Sequence, residues 1–289
     1  MSNKKFDMIL METISIRPLK EIFEFTGAIE VQKLTWNRSD YSLIPPTIFK
    51  SFVKNGGCVI GAIAHPDDGS EKVIGYAIGY LGTNKERILY HHSQQVAVLP
   101  EYQQLGVAYN LKQAQKKFVE TQYGITLMTW TVDPLLSKNA FLNYHKLGAI
   151  GRIYWDNYYG SREDDLNSGL ETDRLEVEWY FSDPQSTIIS EAREKIPNEF
   201  PIYDYSKSGD YLDISDENKA YIGVCIPRDL VELKEKNITL ANSLRVNFRK
   251  LAHYLIGRNY CIIDLKSKIE PKSILIWTNT LKNIKRIKD

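Results

Sequence analysis

The residues best suited to chemistry lie in one short turn, Gln103-Gln104-Leu105-Gly106-Val107-Ala108. An apolar segment, Val96-Ala97-Val98-Leu99, enters it through Pro100, and a long amphipathic segment leaves it. Small residues at 106 and 108 keep bulky side chains off the first amides of the helix that this segment predicts. Helix-start amides have no intrahelical partner, and the macrodipole adds about half a positive charge there. Such a turn suits a phosphate or pyrophosphate. The plainer alternative is a strand-turn-helix with incidental small residues.

Other residue types invite chemistry as well. His91 and His92 precede the apolar strand. Adjacent strand residues face opposite ways, so the pair does not easily share a metal ion, and no metal site is expected. Either imidazole could act as a general base, because it titrates near neutrality, or could be a hydrogen-bonded structural group. Arg174 offers a planar fork to an acceptor carboxylate, with a structural ion pair as the alternative.

At this point the residues resemble a family. Gln103-x-x-Gly106-x-Ala108 resembles the (Gln/Arg)-x-x-Gly-x-(Gly/Ala) acyl-CoA motif of the GNAT superfamily of N-acyltransferases. Asn139-Ala140 followed by Tyr144-His145-Lys146-Leu147-Gly148 is similar to its second signature, Asn-x-x-Ala then Tyr-x-Lys-x-Gly, with the Ala placed early. Trp130-Thr131, Asp133-Pro134-Leu135, Tyr158-Tyr159-Gly160 and Asp173-Arg174 with Trp179 extend the likeness to a narrower group of long, poorly characterised GNAT acetyltransferases. The resemblance runs over residues 10–181 and more loosely to 266.

What the resemblance implies is specific. The fold is a mixed α/β GNAT fold with a V-shaped opening in the sheet. The co-substrate is acetyl-CoA or another acyl-CoA, and the acceptor is an amine on a small molecule or amino acid. The pyrophosphate goes to the turn Gln103 to Ala108, and the pantetheine arm to the backbone of Val96, Ala97 and Val98. Asn139 bonds a CoA or pantetheine carbonyl, or caps local backbone. Tyr144 protonates the departing thiolate; a phenol titrates near 10 and holds its proton at neutral pH. Asn143, beside it, competes for that position. A catalytically idle acyl-CoA binder with a regulatory role and a protein N-acetyltransferase are the rival readings.

Composition sets the remaining bounds. Of 289 residues, 43% are hydrophobic, enough for one large domain or two smaller ones. Lys+Arg 37 against Asp+Glu 36 gives no global pull toward nucleic acid or anionic membrane, so neither is expected as a partner. Cys58, Cys225 and Cys261 are widely spaced and odd in number, which fits a reduced, cytoplasmic compartment. No apolar run reaches the length of a membrane span. A homodimer is compatible with the reading.

Several elements must position these residues. A first strand is expected at Thr13 to Arg17, a helix opening at Pro18, and loops over 37–46 and 158–169. A short helix is expected at Pro46 to Lys54, and a hairpin joins Cys58 to Ala64 with Val73 to Leu81. One face of its second strand is all small, Gly75, Ala77 and Gly79, which means tight helix packing or room for a ligand. The helix from about Gln104 to Gln122 carries an apolar stripe of Val107, Leu111, Ala114 and Phe118. Lys112, Gln115, Lys116 and Lys117 lie off that stripe as a solvated face, with Lys112 a candidate for a CoA phosphate. A strand from Leu127 to Val132 opens into Asp133-Pro134, which can start a helix that Gly148 ends. Strands follow at Ile150 to Trp155 and Asp173 to Trp179. The expected organisation is a GNAT domain over residues 1–182 and a partial GNAT-like α/β extension over 183–289. In the extension, Ala220 to Ile226 reads as a strand, Leu240 to Leu255 as a helix and Tyr260 to Leu265 as a strand.

Overall fold

The computed structural model describes residues 13–36, 43–160, 168–204, 219–269 and 272–284. Residues 37–42 and 161–167 of the expected loops, and residues 285–289, lie outside them. The chain divides into two units, residues 1–128 and 129–289.

In the first unit, alternating apolar segments form the antiparallel order β1 (Thr13–Pro18), β2 (Cys58–His65), β3 (Lys72–Thr83) and β4 (Leu89–Val98). Phe25 of helix α1 (Ile22–Trp36) stacks on Phe49 of α2 (Pro46–Lys54), and Phe49 meets Tyr76 of β3. Neighbouring strand residues face opposite ways, so Gly75 meets the other layer, Leu111 of α3 (Val107–Tyr123). A Cβ at Gly79 would collide with the His91 ring. The small-residue face is therefore filled by packing.

The β3–β4 ladder is irregular. Ile78 pairs with Gln95 but Tyr80 with His92, so three steps on β4 match two on β3. The extra residue is a bulge at Ser93-Gln94. Helix α3 begins at Val107, later than the spacing predicts, because Gln104 (φ 68) and Gly106 (φ 79) are left-handed and cannot belong to it.

The second unit holds most of β5 (Leu127–Val132), followed by α4 (Ser137–Ala140) and a π-helical turn, Phe141–Lys146. Asp133 does not cap this helix. Its Oδ1 accepts the Leu135 amide at 2.9 Å, and the carboxylate faces Arg245. Gly148 takes the expected left-handed conformation, φ 73. Strand β6 (Ile150–Trp155) lies between β7 (Arg174–Tyr180) and β10 (Cys261–Ile269). Strand β11 (Lys272–Thr278) sits between β10 and β9 (Tyr221–Pro227), and β8 (Ile202–Tyr203) runs parallel to β9. Helices α5 (Pro184–Glu194), α6 (Leu230–Lys236) and α7 (Ile238–Gly257) complete the unit. In α7, Leu244, Phe248, Leu251 and Leu255 are buried as the spacing predicts, while Leu240 is exposed. Within this unit β10 pairs with β6, and the division expected at 182/183 remains a proposal. The V-shaped opening expected beside Val96–Val98 remains a proposal.

Candidate functional site

The first unit brings most of the predicted residues together at the end of β4. The 3-10 turn Pro100–Tyr102 leads into the left-handed Gln104 and Gly106, and α3 starts without a side-chain cap. Its first backbone bond runs from the Asn110 amide to the Gly106 carbonyl, 3.0 Å. The amides of Val107, Ala108 and Tyr109 precede that bond and have no intrahelical acceptor. Gln103, Gln104 and Gly106 are exposed, Leu105 and Ala108 half-buried, and Val107 buried. A Cβ built on Gly106 would meet no atom within 4 Å. The turn is thus open toward solvent at the end where an anion would sit.

Ladder geometry settles where the backbone of β4 points. The Leu99 amide donates to the Ile74 carbonyl, 2.9 Å. Alternate residues of an antiparallel strand bond the same neighbour. Ala97 therefore bonds toward β3, while the main-chain groups of Val96 and Val98 point away from it. The Val98 carbonyl is already engaged, by Gln103 Nε2 at 3.1 Å and Thr35 Oγ1 at 3.2 Å. These two bonds latch the turn to the strand end. The Val98 amide and both main-chain groups of Val96 lie on that same side.

The two histidines separate as neighbours on a strand must. His92 lies on the α2 face, its ring 5.3 Å from that of Tyr80, which in turn lies 5.3 Å from Phe52. Tyr76 and Tyr80 donate their hydroxyls to Gln95 Oε1 (2.5 Å) and Gln94 Oε1 (3.3 Å). His91 faces α3 and is wholly buried, with Nε2 3.8 Å from Cys58 Sγ. Burial, then the charges of Lys112 and His92, push it down to about 3. A neutral ring sealed behind the sheet cannot take a proton from a substrate.

Around His91 lies a cluster that apolar spacing does not reveal. Lys112 and Gln115 are buried, at 3% and 0% exposure, and so are not a solvated face. Lys112 Nζ donates to Ser93 Oγ (2.7 Å), Ser93 donates to Gln115 Oε1 (2.7 Å), and Gln115 Nε2 approaches Cys58 Sγ (3.8 Å). Burial drives Lys112 well below the usual lysine range and pushes the Cys58 thiol up to about 12. Lys112 is therefore not a phosphate ligand, and the Cys58 thiol stays protonated. This chain of hydrogen bonds passes through Ser93, in the bulge of β4. The signal that could have found it is the coincidence of polar residues at i, i+3 on α3 with a polar strand start.

The predicted residues of the second unit have different surroundings. Tyr144 is fully buried; its hydroxyl has no hydrogen-bond partner and lies where a Cβ on Gly151 would point. Burial, with some help from the neighbouring Cys261, raises its phenol far above the ordinary range. Asn143 is also buried and accepts from Trp130 Nε1 at 3.2 Å. Asn139 is exposed on α4. Arg174 is buried, donates to the Asp173 carbonyl (2.7 Å), lies 3.9 Å from Asp133 and sits over the Tyr159 ring. Its guanidinium serves a structural ion pair and not an open carboxylate site. Among the described residues, no group of three His, Cys, Asp or Glu could hold a metal ion, and no helix is long and apolar enough to cross a membrane.

Comparison with known proteins gives structural likeness only. No protein-family model and no curated protein matches the chain. Among solved structures, the chain is similar to Arabidopsis thaliana NAA60 in complex with a bisubstrate analogue, at 14% identity and TM-score 0.47, covering 59% of this chain and 100% of that one. It is similar to the ribosomal-protein-S18-alanine N-acetyltransferase of Escherichia coli, at 17% identity and TM-score 0.44, over 59% and 96%. An aminoglycoside acetyltransferase from an uncultured soil metagenomic sample, in complex with sisomicin, matches at 17% identity and TM-score 0.36, over 42% and 78%.

Proposed function

We propose that the chain is an acyl-CoA-dependent N-acyltransferase of the GNAT type that acetylates the primary amine of a small molecule. The observation that carries this reading is the open, uncapped start of α3 behind two left-handed residues, directly after a strand whose main-chain groups at Val96 and Val98 point away from β3. The pyrophosphate of acetyl-CoA sits on the amides leading into residues 104–108, where unpaired N–H groups and the helix dipole favour an anion. The pantetheine arm runs along the side of β4 that faces away from β3, with the Val98 amide and Val96 groups as its partners. One of these amides polarises the thioester carbonyl; donors of that kind contribute on the order of 3 kcal/mol in acyl transfer.

The acceptor arrives as an ammonium ion. His92 takes one proton, directly or through water, and leaves a neutral amine. Its nitrogen attacks the thioester carbon, the C–N bond forms, and the tetrahedral oxyanion collapses with cleavage of the C–S bond. The nitrogen loses its second proton to solvent, and the CoA thiolate takes one from solvent. The thiolate needs no buried acid for this, because an ordinary thiol titrates near 8.5. Tyr144 therefore carries no step. Residues 1–182 carry the transferase and 183–289 a partial GNAT-like accessory half.

A second reading, an acyl-CoA binder without turnover, is favoured by one observation, that two of the three expected catalytic groups, His91 and Tyr144, are sealed in the interior. Two measurements on the full chain separate the readings. Acetyl-CoA should slow hydrogen exchange at the amides of 104–109, and a primary amine should then release free thiol. Unchanged exchange in that turn sinks both readings; protection without thiol release leaves the binder.

A further inference from the structure

The face of β3 and β4 that carries His92 is a strip of rings. Tyr80 stands between Phe52 and His92, with ring centroids 5.3 Å away on either side. The Tyr90 ring continues the strip, lying over Gly82, its partner across the ladder. Phe52, Tyr80, Tyr90 and His92 are all half-buried, so each keeps some surface accessible. The amides of Gln94 and Gln95 close the end nearest the bulge, bonded to the hydroxyls of Tyr80 and Tyr76. From Ile74 to Gly82 on β3 and from Tyr90 to Ala97 on β4, the residues that the register puts on this face include no Asp, Glu, Lys or Arg.

That lining discriminates between amines. A polyamine or aminoglycoside brings several ammonium groups, each of which needs a carboxylate once water is removed. A free amino acid brings a carboxylate, which needs a cation, and Arg174 is committed to Asp133 and the Asp173 carbonyl. One ammonium group with an aromatic body needs neither: rings attract a single cation through their faces and pack edge-to-face against another ring. We infer that the acceptor is a small primary monoamine with an aromatic body and no second charge, seated on the Phe52–Tyr80–Tyr90 strip with its nitrogen at His92. This inference rests on the transferase reading and narrows its acceptor.

The test is thiol release from acetyl-CoA by the full chain with phenethylamine, phenylalanine, spermidine and kanamycin, beside calorimetric titration with acetyl-CoA alone. Phenethylamine and phenylalanine differ by one carboxylate, so the pair isolates that charge. The expected result is a kcat/KM for phenethylamine at least about tenfold above each of the other three. Tyr80→Leu should raise KM for phenethylamine roughly tenfold with little change in acetyl-CoA affinity, and Tyr80→Phe should restore it. Preference for spermidine, kanamycin or phenylalanine, or no turnover of any amine despite acetyl-CoA binding, overturns the inference while leaving the CoA site standing. Absence of acetyl-CoA binding overturns the transferase reading and this inference together.

Discussion

Each unit buries a basic side chain almost completely, and the two solve the resulting problem in opposite ways. In the second unit Arg245, 2% exposed, meets Asp133 through two bonds of 2.7 and 2.6 Å. Burial works to raise the Asp133 carboxyl, but Arg245 overrides it and holds that carboxyl below its ordinary range. Asp173 repeats the arrangement with Arg249, and Glu178 with Arg152. In the first unit Lys112 has Ser93, Gln115, Cys58 and His91 around it, and none of these is a carboxylate. Opposite charge compensates the arginine, whereas a shift toward the neutral form compensates the lysine. Guanidinium cannot take the second route, because it does not deprotonate in proteins, and ammonium can.

The largest way to break this comparison is Arg245→Met. Among the described residues it leaves buried Asp133 with only Arg174 at 3.9 Å and the Leu135 amide, and removal of one partner of a buried pair costs about 3–5 kcal/mol. Urea unfolding of the full chain should register that loss. A neutral effect would mean the pair is solvated. The next effect separates the units by pH. Because the folded-state lysine sits well below its unfolded value of 10.5, the unfolded chain binds the extra proton. Stability should therefore rise with pH, by about 1.4 kcal/mol per unit for one such group, up to that unfolded value. Lys112→Met should flatten the stability curve just below pH 10.5 and cost no more than about 1 kcal/mol there. An unchanged slope would contradict a neutral Lys112. Below pH 6.5 the same sign holds for His91, whose contribution should fade as pH drops toward about 3. His91→Phe should make the acid limb of the stability curve shallower. Asp133 acts at lower pH: its contribution is present above 3.8 and is lost as pH falls through its depressed folded value. The smallest expected effect belongs to Tyr144→Phe. Deleting a buried hydroxyl without a partner should change stability by less than about 1 kcal/mol and leave turnover intact. A large loss of turnover would restore Tyr144 as the acid.

The same contrast explains what the sequence could disclose. Strands with apolar alternation and helices with apolar spacing were legible from Thr13 to Tyr180, because burial of hydrocarbon leaves a period behind. The turn at Gln103–Ala108 was legible because small residues follow a strand end. Lys112 and Gln115 were not, since a polar residue buried against another polar residue looks like a solvated one. Tyr144 matched its motif position, yet its ring turns toward Gly151 and Cys261, and no spacing rule encodes that direction. The start of α4 was misread because Asp133 had a partner 112 residues away in Arg245. Strand β11 was missed because SILIWT follows Pro271 without the alternation that marks a half-exposed strand.

Whether the turn before α3 receives the diphosphate of an acyl-CoA is decided by calorimetric titration of acetyl-CoA into the wild type and Gly106→Ala. Gly106 has φ 79 and open space beyond it, so a Cβ there strains the turn and intrudes where the phosphate would lie. The wild type should bind one equivalent with a dissociation constant on the order of micromolar, and the variant should bind at least about tenfold more weakly. No heat from the wild type, or equal affinity in the variant, would contradict the account.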